Sequence, residues 1–122
     1  SMLAWLMWKN LRPLIWFVQR ARTGVSQADA WNLYRYTERT LAVGLRRLAG
    51  DLHGCPAEYV IDDTVDEGCE RWKAELLHVA DDLESLEYPD SRADLFEDID
   101  EDAQVRREAW AWLMAHWESL WD

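Results

Sequence analysis

Residues 65–86 read VDEGCERWKAELLHVADDLESL, and their apolar members fall at Val65, Cys69, Trp72, Leu76, Val79, Leu83 and Leu86. Steps of four and three residues in alternation draw one stripe down a helix of 3.6 residues per turn. Glu70, Lys73, Glu75, Asp82 and Glu84 take the remaining surface. Such a stripe needs a partner surface, and three further segments offer one. The pattern predicts an all-α, four-helix, bundle-like single domain, with helices over about 3–22, 27–53, 65–87 and 97–121.

Working outward, the segment before this stripe repeats it at Trp31, Tyr34, Glu38, Leu41, Leu45, Leu48 and Leu52, with Glu38 as the one polar interruption. A carboxylate in a core stripe requires a cation, and Arg12 or Arg20 is the expected partner. Ser26 and Asp29 form a capping-box start for this helix, and Gly24 suits the residue after the preceding one. The segment after the stripe places Ile99, Ala103, Arg106, Trp110, Leu113, Trp117 and Leu120 in register. Trp112, Met114 and Trp121 lie off that line. The second, third and fourth segments are expected to form the main core.

The first segment, Leu3 to Arg22, is apolar over more than half its circumference. Pro13 is expected to kink or split it near Asn10 to Arg12. Its cations sit at the ends rather than along a polar face, so a helix docked across the bundle is favoured over an amphipathic anchor or partner helix. Between the second and third segments, Tyr59-Val60-Ile61 reads as an extended plug over the bundle end.

The chain has 122 residues, nine Trp and a net charge of −11. The charge is divided: residues 1–54 carry eight Lys/Arg against three Asp/Glu, net +5, and residues 55–122 carry five against twenty-one, net −16. An acidic balance disfavours duplex nucleic acid and anionic membrane as general partners. The apolar run at the start is broken by Lys9, Asn10, Arg12 and Pro13, so no membrane span is expected. Ser1 before Met2 reads as an expression remnant. Cys55 and Cys69 are too few to staple a fold of this size and are read as reduced thiols of a cytoplasmic protein.

Gln19-Arg20-Ala21-Arg22-x-Gly24, Asp29-x-Trp31-x-Leu33, Leu45-x-x-Leu48-Ala49, His53-Gly54-Cys55-Pro56, Trp72 and the closing Leu120-Trp121-Asp122 together resemble a family of small acidic helical proteins of actinobacterial phages and prophages. The resemblance implies cytoplasmic life in an infected or lysogenic host and an inhibitor or modulator of host machinery. It brings no catalytic residue.

The densest chemical feature is residues 81–102, with eleven acids against Arg92 alone. Acids from Asp98 to Asp102 suit a helix N-terminus. Asp81, Asp82, Glu84 and Glu87 stand instead where the macrodipole is negative, at a cost of roughly a few tenths of a kcal/mol each. Pairing with Arg20, Arg22 or Arg35, or with a basic partner, would offset that cost. The expected partner-binding set is Asp81, Asp82, Glu84, Glu87, Asp94, Glu97, Asp98, Asp100, Glu101 and Asp102, with Trp112 and Trp121 as an exposed aromatic patch. The partner expected is a host or phage protein with a basic surface.

No metal site or cofactor is expected. Asp98-x-Asp100-x-Asp102 opens like a calcium loop, but Ala103 and Ala109 occupy the glycine and glutamate positions. His53, Cys55, Cys69 and His78 lack zinc-ligand spacing. Glu67/Glu70 with Glu97/Asp100 reproduce the carboxylate spacings of a magnesium-dependent helical nucleotide pyrophosphohydrolase, which is the enzyme alternative. A homo-oligomeric helical protein, such as a homodimer, is the structural alternative. No nucleophile triad or phosphate-binding glycine loop is present. The expectation is therefore a non-enzymatic interaction module.

Overall fold

The computed structural model describes residues 1–62, 64–86 and 99–121, with only the backbone at 99 and 100. Among the described residues there are five α-helices, α1 (Met2–Thr23), α2 (Gln27–Trp31), α3 (Leu33–Gly50), α4 (Val65–Ser85) and α5 (Ile99–Ala115), with one 3-10 turn, Ala57–Tyr59, between α3 and α4 and another, Trp117–Ser119, after α5. No strand occurs among the described residues, so the all-α class stands. The chain resolves into two compact units, residues 1–37 and 38–122.

In the first unit, the Ser1 hydroxyl caps α1 by accepting from the Ala4 amide at 3.2 Å. The helix runs through Pro13 without being divided there, contrary to one half of the kink-or-split expectation. It ends at Gly24, whose φ of 82° lies in the left-handed region and whose amide closes on the Arg20 carbonyl at 2.8 Å. Ser26 and Asp29 then form a reciprocal capping box. The helix expected over 27–53 is interrupted. Asn32 leaves helical geometry at φ −130°, ψ 57°, dividing it into α2 and α3. The Asn32 carbonyl accepts from Tyr36 to start α3. Asn is a residue whose side chain competes for backbone partners and so tolerates such a break.

The second unit holds the core. Ala42, Leu45 and Ala49 of α3 meet Trp72, Leu76, Val79, Ala80 and Leu83 of α4, together with Leu86, and Ala109 and Leu113 of α5. The stripe of residues 65–86 is buried from Trp72 onward, whereas Val65 is exposed. Glu38 is 2 % exposed, and its partner is neither Arg12 nor Arg20. Arg106 of α5 donates through Nε at 2.8 Å and Nη2 at 3.1 Å, and the Trp110 indole donates at 3.0 Å. The two charged residues that interrupted separate stripes have opposite signs, and they neutralise each other inside the packing.

The connection between α3 and α4 differs from the expectation twice. Tyr59 is not part of an extended plug. It ends a 3-10 turn and is buried, with its ring edge-on to Trp72 at 5.1 Å. Cys55 and Cys69 are not reduced thiols but a disulfide, with Cα atoms 5.1 Å apart. The His53–Pro56 turn carries Cys55 back over the first turns of α4, where Cys69 sits on the core-facing stripe. Gly68 lets the connection lie close: a Cβ there would collide with the Tyr59 carbonyl and come within 2.7 Å of Val60 Cγ1.

Candidate interaction surfaces

The acidic residues are distributed unevenly. Asp81 and Glu84 do not stand free, because Arg46 of α3 grips both: Nη2 donates to Asp81 at 2.5 Å, and Nε and Nη2 donate to Glu84 at 2.8 Å. This guanidinium holds the Glu84 carboxyl below the usual range, and the Glu84 and Asp81 carboxylates in turn raise the pKa of Arg46. The cation is thus Arg46 rather than Arg20, Arg22 or Arg35. Asp82 faces His78 one turn earlier at 3.3 Å. These pairs lie at the solvent-accessible surface, where water screens them and they add little to stability. Glu101 is exposed on α5, and Asp102 is half-buried and engaged within the chain. Asp100 lies in the first helical turn of α5, and Glu87, Asp94, Glu97 and Asp98 lie outside the described residues.

The carboxylate spacings of the enzyme alternative are met in part by α4, which carries Glu67 and Glu70 exposed on its first turns. Glu97 lies outside the described residues. Among the described residues, no three His, Cys, Asp or Glu side chains come together to hold a metal ion. The disulfide occupies both sulfurs of the zinc alternative.

Trp112 and Trp121 do not form one exposed patch. Trp112 is half-buried, stacked on Trp72 at 5.3 Å and on His116 at 4.4 Å. Its indole nitrogen is buried without a hydrogen-bond partner among the described residues, as is one Glu75 oxygen. Tyr59 shares this cluster, its hydroxyl 3.3 Å from His116 Nε2. Burial first, and then the Glu75 carboxylate, push the Tyr59 phenol above its ordinary range. Trp121 is 74 % exposed. It lines a cleft of about 580 Å³ with His53, Cys55, Glu58, Trp72 and Ser119. The His53-Gly54-Cys55-Pro56 turn forms one wall of this cleft, and the Cys55–Cys69 disulfide ties it to α4.

Within residues 1–37, α1 carries an apolar face that α2 does not cover. No residue of α1 is buried. Its half-buried positions are Arg12, Trp16 and Gln19, which share one side, and that is the side α2 occupies. Arg20 grips Asp29 at 2.9 and 2.5 Å, Gln19 accepts from the Gln27 amide at 2.7 Å, and Trp16 meets Trp31 edge-on at 5.8 Å beneath Arg12. The Arg20 guanidinium holds the Asp29 carboxyl well below the usual range. What α2 leaves open is the apolar side: Leu3, Met7, Leu11, Leu14, Phe17 and Val18 are all exposed. No helix is long and apolar enough, among the described residues, to cross a membrane. The chain matches no protein family, no curated protein and no solved structure.

Proposed function

We propose that this chain is a non-enzymatic protein-interaction module that docks through the apolar face of α1. One observation carries the reading: within residues 1–37 the local partner of α1 covers its polar side, and the apolar side of this 22-residue helix is exposed among the described residues. Contiguous apolar patches beyond a few hundred Å² mark interaction sites on otherwise polar proteins. The acidic residues act at longer range. With Asp81 and Glu84 already held by Arg46, the net charge of −16 over residues 55–122 favours the approach of a basic partner to that half of the chain, while α1, in the net +5 half, supplies a contact that is apolar rather than ionic. Following the resemblance to actinobacterial phage proteins, the partner proposed is a host or phage protein, and the outcome of binding is its inhibition or modulation.

The test is co-purification from host extract with the tagged chain and with a Leu14→Asp/Phe17→Asp variant. A discrete partner recovered in stoichiometric amount with the parent and lost with the variant is the expected result. Equal recovery by both would overturn the assignment of α1 as the docking face.

A further inference from the structure

Resting on α1 as the docking face, we propose that in the absence of the host or phage partner the face is filled by the α1 of a second copy of this chain, paired antiparallel. The residues at its centre are Ala4, Met7, Leu11, Leu14, Val18 and Ala21, spaced three, four, three, four and three. That is a two-and-a-half-heptad seam of the kind that packs knobs into holes between helices. All six are exposed, and all lie on the side away from the Arg12, Trp16 and Gln19 line that α2 covers. Pro13 falls on the outer surface as well, so the proline leaves the seam continuous.

The seam reads nearly the same in both directions. Set antiparallel about a two-fold axis, Ala4 faces Ala21, Met7 faces Val18, and Leu11 faces Leu14, so small meets small at the ends and large meets large in the middle. This self-complementarity is what an isologous interface demands. Trp8 then flanks Ile15 of the partner helix, extending the apolar contact.

Charge selects this direction over the parallel one. Lys9, Arg12 and Arg20 lie off the seam, and Arg22 borders it only at its end. Parallel pairing would bring together the Arg22 ends of two acid-free helices, Arg20 being paired with Asp29, and would align their dipoles. Antiparallel pairing separates those ends and opposes the dipoles.

A second, independent observation concerns size. Residues 1–37 form a compact unit in which Ser26 is the only buried residue. Units below about 40 residues ordinarily need a disulfide, a metal or association to hold their structure, and the disulfide of this chain lies in the other unit. A second α1 would supply the missing apolar contact.

The experiment is light scattering with size exclusion on the purified full chain. The expected mass is twice 14.4 kDa, dropping to the single-chain value for Leu14→Asp and for the milder Leu11→Asn, with the urea midpoint of the 38–122 unit unchanged. Oxidative cross-linking of an Ala4→Cys variant mixed with an Ala21→Cys variant is expected to join the two. Ala4→Cys alone should not cross-link. A monomer at about 100 µM overturns the proposal, and so does an Ala4-to-Ala4 cross-link. A monomer that sediments with anionic phospholipid vesicles overturns it in favour of a lipid surface. If the chain is monomeric but still loses its co-purified partner in the Leu14→Asp/Phe17→Asp variant, the second copy is wrong and the docking face stands. If neither self-association nor partner recovery responds to changes in α1, both fall.

Discussion

Arg106 of α5 reaches the buried carboxylate of Glu38 on α3 across 68 residues of sequence, with one nitrogen at 2.8 Å and a second at 3.1 Å. The two ends of this pair are unequally solvated: the Arg106 side chain is 34 % exposed and that of Glu38 is 3 %. Removing the cation should therefore cost more than removing the anion. Arg106→Met leaves a charge in the core and is expected to lower stability by on the order of 3 kcal/mol. Glu38→Gln keeps the Trp110 hydrogen bond and lets the guanidinium lean toward water, so about 1–2 kcal/mol is expected. Urea denaturation of the two variants checks the order, and equal losses would contradict the exposure argument.

The Cys55–Cys69 bond closes a loop of 14 residues in sequence separation. In the chain-entropy account, opening a loop of this length costs about 3 kcal/mol. Cys55→Ser/Cys69→Ser should lower the urea midpoint of the parent, and reductant should lower the parent alone. The helical signal of α1, which belongs to the other unit, should persist through the same treatment.

At Gly68, any side chain must displace the carbonyl of Tyr59, which is backbone and cannot rotate away. Gly68→Ala usually favours a helix by about 1 kcal/mol. Here the sign should reverse, with a net loss of roughly 1–3 kcal/mol as the 3-10 turn is pushed off α4. Gly44, also helical but with open space about it, is the control in which alanine should stabilise.

Tyr59 gives the fold an alkaline limit. Its phenol is pushed above the ordinary value near 10 by burial and by the Glu75 carboxylate, so the folded state favours the neutral form. The resulting contribution to stability is complete below the unfolded pKa of about 10 and is lost progressively as pH rises through the higher folded value. Absorbance titration at 295 nm should show one tyrosine ionising later than the others, and Tyr59→Phe should remove that late step.

The stripes told much of the architecture. Trp72, Leu76, Val79 and Leu83 are buried as their spacing requires, because burial along a long amphipathic helix follows from periodicity alone. Partner choice did not follow from it. Glu38 and Arg106 each stood out as a polar residue in an apolar line, yet nothing local says that two such residues meet when 68 positions separate them. The helix break at Asn32 depends on one residue's dihedral angles, beneath the reach of a pattern with a period of 3.6. The Cys55–Cys69 bond required knowing that His53–Pro56 folds back over α4. For α1, hydrophobicity signalled the need for a cover but could not tell an intramolecular cover from an external one, since the two demand the same side chains.

Because Ser26 alone is buried within residues 1–37 while the 38–122 unit holds a full core, amide hydrogen exchange should separate the chain into two classes. In α4 the slowest amides should exchange only through global opening. In α1 the rates should track occupancy of the apolar face, near those of a fraying helix when it is empty and slowed when it is filled. The backbone of Met2–Thr23 is thereby a built-in gauge of association, readable without label or partner identity.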